Sequence, residues 1–120
     1  MLGSTKVLDV SSHCQSSEIE GGMLVMLSGN ISLNRVPEVR SDLIAIAESG
    51  HALIVVDMTN LKFIDSSGIA TLIELLRNQT SANRRLVLCA MQPQVQSMFQ
   101  IVRLDTLFTI VDDVASATSQ

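Results

Sequence analysis

The chain has 120 residues, of which 47% are hydrophobic and 2% aromatic, and its formal net charge is −4. This length predicts one domain, 1–120, with a mostly aliphatic core. The eight Lys and Arg residues are scattered and do not interleave with aromatic side chains, which argues against a nucleic-acid surface. We find neither a signal-peptide pattern nor an apolar run near the ~20 residues of a membrane span, so we expect a cytoplasmic protein.

The first third of the chain predicts strands and then a helix. Residues 1–13 have no firm period and are interpreted as an extra strand or an extension left from cloning. Segments 16–19 and 23–27 are predicted to pair as a β-hairpin, because the Gly pair between them permits a tight turn. Gly29 is predicted to end the second strand. Apolar residues at helical spacing then predict a helix that Asn34 caps and that ends at Gly50.

The centre of the chain predicts a strand over 51–57 that is buried on both faces, since Leu53, Ile54, Val55 and Val56 form an unbroken apolar run. A second amphipathic helix is predicted over 69–78.

The last third predicts a strand over 86–91 and a helix opened by Pro93, with Val95, Met98, Phe99 and Val102 facing inward. A strand over 107–111 and a short helix capped by Asp112 and Asp113 close the chain. Alternation of this kind predicts an α/β fold with a mixed, mostly parallel sheet of about four to five strands and about four helices.

The segment Asp65-Ser66-Ser67-Gly68 places two hydroxyls and a carboxylate where the second helix begins. Unpaired backbone N–H groups and the positive end of the helix dipole gather at such a position. A serine there either caps the helix or carries a phosphate, and both interpretations are open. For a phosphate, the N–H groups of Gly68 and Ile69 are the expected donors, and Gly68 is expected to leave room for a partner.

Phe63-Ile64-Asp65-Ser66-Ser67-Gly68-Ile69, together with the strand before it, resembles the signature of STAS domains. It is most similar to bacterial anti-sigma-factor antagonists, over roughly 16–117. The resemblance implies a STAS-like fold and a partner switch. The unphosphorylated domain would bind an anti-sigma factor that is also a serine kinase, and phosphorylation of Ser66 would release it. A serine phosphatase would reset the switch, so the protein would be a ligand and a substrate, not an enzyme.

One stretch departs from the family pattern. Family members usually follow the Gly at this strand end with an acidic residue, an apolar residue and an Asp, whereas this chain has Gly29-Asn30-Ile31-Ser32. Ser32 is either a second modified site or a polar loop residue. Loop residues beside the turn are either docking contacts or an ordinary solvated loop. The predicted partner-binding residues are Asn30, Ser32, Thr59, Asn60, Lys62, Ile69, Thr71 and Leu72.

Other functions find little support in the sequence. It contains no Gly-x-Ser-x-Gly elbow and no P-loop. His13, Cys14, His51 and Cys89 lack metal-ligand spacing, so no metal or cofactor is predicted, and the two cysteines form a disulfide or stay as free thiols. Two alternatives remain: a STAS scaffold of a stressosome or membrane transporter complex that is never phosphorylated, and a module that binds nucleotide or lipid in a groove beside Ser66.

Overall fold

The computed structural model describes residues 7–11 and 14–119. Its strands are β1 (Val7–Ser11), β2 (Cys14–Ile19), β3 (Gly22–Ile31), β4 (Leu53–Ile64), β5 (Arg85–Cys89) and β6 (Thr109–Val111). Its α-helices are α1 (Val36–Glu48), α2 (Ser66–Ser81), α3 (Pro93–Ile101) and α4 (Val114–Thr118), and a 3-10 turn spans Leu104–Thr106. The expected α/β class is confirmed.

The strands lie side by side in chain order and form one mixed sheet. β1, β2 and β3 pair antiparallel, whereas β3, β4, β5 and β6 pair parallel through the crossover helices α1, α2 and α3. From β2 to β6 this gives the predicted mostly parallel sheet. β1 is the extra strand that was one of two interpretations of residues 1–13.

The core lies on both faces of the sheet, as the apolar run in β4 predicts. Ile54 and Val56 pack with the crossover helices, while Leu53 and Val55 pack with Ala117 of α4 on the other face. Side chains alternate between faces along a strand, so a fully apolar run is what a strand covered on both sides requires.

Two strands are longer than predicted. Gly29 does not end β3, which continues to Ile31, and β4 continues to Ile64. The two extensions pair with each other in parallel, with register irregularities at two points, and Gly29 takes a positive φ of 76° at one of them. The predicted loop around Thr59, Asn60 and Lys62 is therefore wrong, because these residues lie on β4.

Helix starts account for two further corrections. Arg35, not Asn34, precedes α1, and its side chain makes no cap hydrogen bond. The side chain of Asn34 accepts a hydrogen bond from the hydroxyl of Ser32. The second helix begins at Ser66 and not at Ile69. Pro93 opens α3 and Asp113 caps α4, as predicted.

Both cysteines are buried free thiols, and they belong to the two separate core clusters on opposite faces of the sheet, so they do not form a disulfide. Burial raises the pKa of Cys14 to about 12 and the pKa of Cys89 to about 11. Both thiols are therefore protonated and unreactive at neutral pH. Val102, predicted to face inward, is 52% exposed. Across residues 7–11 and 14–119, no helix is both long and apolar enough to cross a bilayer.

Candidate functional site

Asp65 is the residue that caps α2. It leaves β4 in extended backbone, and its Oδ1 atom accepts hydrogen bonds from the N–H groups of Ser67 at 3.0 Å and Gly68 at 3.1 Å. The hydroxyl of Ser67 donates to the same oxygen. This hydroxyl and the amides of Gly68, Leu33 and Ser67 lower the pKa of Asp65, which is therefore ionised at neutral pH. Neither serine is the cap, so the interpretation that a serine caps this helix is wrong.

The second carboxylate oxygen of Asp65 ties a distant loop to the helix start. Oδ2 accepts a hydrogen bond of 3.0 Å from the N–H of Leu33, in the loop between β3 and α1. The N–H of Asp65 itself donates to the carbonyl of Ile31 at 3.1 Å. One residue thus fixes the positions of the β3 end, the loop and the first turn of α2 relative to each other.

The two serines differ in accessibility. Ser66 is exposed at the first position of α2, and its hydroxyl makes no hydrogen bond to any of the described residues. Ser67 is half-buried, and its hydroxyl is held by Asp65. Of these two serines, Ser66 is therefore the one whose hydroxyl is both free and exposed.

The backbone donors expected to hold a phosphate are already engaged. The N–H of Gly68 donates to the Asp65 carboxylate, and the N–H of Ile69 donates to the Asp65 carbonyl at 3.0 Å. The expectation that these two amides receive a phosphate is therefore wrong for this conformation, because Asp65 occupies the position that a bound anion would take.

Gly68 faces the core and not the solvent. A Cβ atom at this position would lie 2.6 Å from Cγ1 of Ile64 and 3.0 Å from Cγ2 of Ile31, closer than side-chain carbons pack. The expectation that Gly68 keeps the surface open for a partner is wrong: its absent side chain lets α2 approach the ends of β3 and β4.

The predicted partner-binding residues divide into two groups. Asn30, Thr59, Asn60 and Lys62 are exposed and Ser32 is half-buried, so all five have surface to offer. Ile69, Thr71 and Leu72 are no more than 5% exposed and belong to the inner face of α2. These three cannot contact a partner while the helix is packed, and the prediction that they do so is wrong.

The β4 extension is held on its other side by the start of α3. The side-chain amides of Gln92 and Gln94 donate to the carbonyls of Thr59 at 2.6 Å and Lys62 at 3.3 Å. The hydroxyl of Thr59 donates to Asp57 at 2.6 Å. Glutamine side chains thus satisfy strand carbonyls that lie beyond the end of β5.

Two exposed apolar residues at this end of the molecule are not among the site residues predicted from the sequence. Leu33 is 72% exposed and Phe63 is 45% exposed. Phe63 stands inside the motif itself, and its neighbour Ile64 is buried, so alternation along a strand would have pointed Phe63 outward had the strand been recognised. The described residues contain no group of three or more His, Cys, Asp or Glu side chains able to hold a metal ion.

Comparison with known proteins supports the assignment of this fold. A family model described as STAS domain matches residues 13–117. The Bordetella bronchiseptica protein named "Putative anti-sigma factor antagonist BtrV" is 22% identical over 102 residues, which cover 85% of this chain and 88% of that protein.

Two solved structures share the fold. The crystal structure of an anti-sigma factor antagonist from Mycobacterium paratuberculosis has a TM-score of 0.80 at 18% identity, covering 97% of this chain and 92% of that one. The Bacillus cell fate determinant SpoIIAA in its phosphorylated form has a TM-score of 0.62 at 18% identity, covering 94% and 96%.

Proposed function

The chain belongs to the STAS domain family, and on this basis we propose that it is an anti-sigma-factor antagonist whose partner binding is switched by phosphorylation of Ser66. In the proposed cycle the unphosphorylated protein binds an anti-sigma factor that is also a serine kinase, and so frees a sigma factor in the cytoplasm. The kinase phosphorylates Ser66, and a serine phosphatase removes the phosphate. The protein is a ligand and a substrate in this cycle and catalyses neither step.

The accessible hydroxyl of Ser66 is the observation that carries this proposal. Ser66 is exposed, while the task of capping the helix falls to Asp65. A kinase can therefore reach the hydroxyl without removing a contact that holds the fold. The phosphorylated form of SpoIIAA, which shares this fold, gives independent support for a modified member.

The charge of a phosphate explains how the switch would act. A phosphoryl group adds about −1.5 to −2 charges, here beside the ionised Asp65. The N-terminal end of the helix dipole reduces the repulsion within the protein. A partner packed over Ser66 would have to bury this charge, and an unpaired charge in an interface costs about 2–5 kcal/mol, which is more than a tenfold loss of affinity.

Because the first-turn amides already bind Asp65, we expect the phosphate to stay at the surface and the backbone to keep its conformation. The switch would then act on the interface and not on the fold.

Three clefts of the described surface along α1 and α2 are lined by residues such as Arg40, Ile44 and Glu74, and none of them includes residues 65–69. These clefts give the nucleotide or lipid alternative no support beside Ser66.

A pull-down from lysate of the source cells tests the proposal. Wild type, Ser66→Ala, Ser66→Asp and the matched control Ser67→Ala serve as baits, with mass spectrometry of both baits and partners. We expect Ser66→Ala and Ser67→Ala to retain a kinase-like partner that Ser66→Asp loses, and phosphate to be found on Ser66 only.

The opposite result is equally informative. If all four baits retain the same partners and Ser66 is never modified, the phosphorylation switch is wrong and the scaffold alternative takes its place. A ligand that raises the melting temperature of the wild type, with no partner retained, would favour the small-ligand module.

A further inference from the structure

Two large apolar side chains are exposed at the end of the molecule that carries Ser66. They are Leu33, 72% exposed, and Phe63, 45% exposed. Phe63 pairs with Asn30 across the two strand extensions, and the next pair, Ile31 and Ile64, is buried. Because side chains alternate along a strand, Asn30 and Phe63 share the opposite, solvent-facing side.

The position of Leu33 is fixed relative to Ser66. The N–H of Leu33 donates to Oδ2 of Asp65, whose other oxygen caps the helix that Ser66 begins. A loop held in this way loses little conformational freedom when a partner binds, and such preorganisation raises affinity. The same hydrogen bond holds the loop that carries this exposed leucine against the start of the helix that Ser66 begins.

This surface carries an exposed cation, Lys62, within a chain whose net charge is −4. Lys62 is exposed and, among the described residues, has no carboxylate within ion-pair distance. Arg35 is paired with Glu38 at 4.0 Å. The carboxylate of Asp65 is satisfied by four donors, three N–H groups and the Ser67 hydroxyl. Asp65 keeps its negative charge, but both its oxygens are already engaged, so Lys62 remains available to pair with a carboxylate of a partner.

We propose that Leu33, Phe63 and Lys62 are the main partner contacts around Ser66, and that the partner offers an apolar surface with a carboxylate opposite Lys62. We call these three residues the Leu33–Phe63 surface. This inference rests on the proposed function, and it names the chemistry of the partner. Asn30 and Ser32, around the end of β3, are neutral and give a basic partner no carboxylate to contact.

The same arrangement explains why phosphorylation of Ser66 would weaken partner binding instead of strengthening it. Before phosphorylation, Lys62 attracts the partner's carboxylate. A phosphate on Ser66 outweighs the charge of Lys62 and places like charges opposite each other across the interface. Apolar contacts supply most of the affinity, and the phosphate makes their burial unfavourable.

The test uses the partner recovered with the wild-type bait and measures its dissociation constant by isothermal titration calorimetry. The variants are Leu33→Ser, Phe63→Ser and Lys62→Glu, with Ile101→Ser as the matched control, since Ile101 is 81% exposed at the far end of α3. We expect each of the three variants to bind at least tenfold more weakly and the control to stay within twofold of wild type. Circular dichroism and thermal melting of each variant verify that it is folded.

Any of four results would overturn this inference. Leu33→Ser and Phe63→Ser could bind as wild type does, or Lys62→Glu could bind more tightly, which indicates a basic partner. Alternatively, sedimentation could show a dimer that Phe63→Ser dissociates, which assigns the surface to a second copy of the chain. Failure of the wild type to retain any partner contradicts both this inference and the proposed function.

The inference and the proposed function can fail separately. If Ser66→Asp binds as tightly as wild type while Leu33→Ser and Phe63→Ser do not, the surface is correct and the phosphorylation switch is wrong. If Ser66→Asp abolishes binding while the three surface variants leave it intact, the phosphorylation switch is supported and the assignment of the partner contacts to the Leu33–Phe63 surface is wrong.

Discussion

Two helices of this protein begin at an aspartate cap, α2 at Asp65 and α4 at Asp113. Each aspartate lies in extended backbone and accepts hydrogen bonds within the first turn, from the amides of Ser67 and Gly68 at Asp65 and from the amide of Ser116 at Asp113. In each case hydrogen bonding lowers the pKa of the carboxyl group, through the Ser67 hydroxyl and three amides at Asp65, and through Ser116 at Asp113. Both caps are therefore ionised carboxylates that accept hydrogen bonds from their own helix start.

The surroundings of the two caps are not the same. Asp113 accepts from Ser116 within its own five-residue helix. Asp65 also reaches Leu33, which lies 32 positions away in the chain, and the residue after it is an exposed serine. A capping aspartate alone is therefore no evidence of a site. What distinguishes α2 is a cap that joins distant segments and leaves a hydroxyl free.

The largest difference in stability between variants at the two helix starts should come from the third helical residue, which is Gly68 in α2 and Ser116 in α4. We expect Gly68→Ala to lower the free energy of unfolding by about 1–3 kcal/mol, because its methyl group would overlap Ile64, and the gain in helix propensity is below about 1 kcal/mol. Urea denaturation measures this loss. The control Ser116→Ala, at the same position of α4, creates no overlap, removes only a surface hydrogen bond to Asp113, and should cost less than about 1 kcal/mol. Equal losses would mean that α2 does not need its close approach to the sheet.

Removing the caps should give the next largest difference. We expect Asp65→Ala to cost about 1–2 kcal/mol of unfolding free energy, since a typical cap contributes about 1 and the bond to Leu33 is lost as well. Asp113→Ala should cost less, because it frays a five-residue helix at the end of the described chain. Amide hydrogen exchange at Leu33 provides a second measurement: the amide should lose protection in Asp65→Ala and keep it in Asp113→Ala.

The contribution of Asp65 should depend on pH in a defined direction. Its pKa is lower in the folded protein than the ordinary value of 3.8, so its stabilisation is fully present above that ordinary value and is lost as the pH falls through the folded pKa. The stability difference between wild type and Asp65→Ala should therefore be constant near neutral pH and shrink in acid. Denaturation at pH 7 and at about pH 3 measures it. A difference that grows in acid would contradict the charged cap.

The strand buried on both faces and the place of the motif were predictable, because an apolar run and a polar helix start are local signals. The extensions of β3 and β4 were not. In β4 the buried residues Met58, Leu61 and Ile64 are three apart, because the register with β3 shifts along this stretch. Strand prediction relies on a period of two, which this pattern does not have.

The candidate site was predictable as a segment but not atom by atom. Asp, Ser and Ser can all cap a helix, and only the structure assigns that task to Asp65. Apolar residues at helical spacing can face either the core or a partner, and only the packed structure shows that Ile69, Thr71 and Leu72 face the core. The bond from Asp65 to Leu33 joins segments that only the folded sheet brings together.

The smallest change in stability should come from replacing the two serines by alanine. It should distinguish a hydroxyl that stabilises the cap from one that is free for modification. Ser66→Ala should leave stability within about 0.5 kcal/mol of wild type, because the Ser66 side chain is exposed and has no partner among the described residues. Ser67→Ala should cost about 0.5–1.5 kcal/mol, since it removes a hydrogen bond to an ionised carboxylate.

The same pair of variants can be followed at Asp65 itself. The Ser67 hydroxyl is the largest cause of the lowered pKa, so NMR titration should find the pKa of Asp65 higher in Ser67→Ala and unchanged in Ser66→Ala. If Ser66→Ala also raised this pKa, the Ser66 hydroxyl would belong to the cap. Its modification would then disturb α2 itself, and a switch acting through the interface alone would no longer follow.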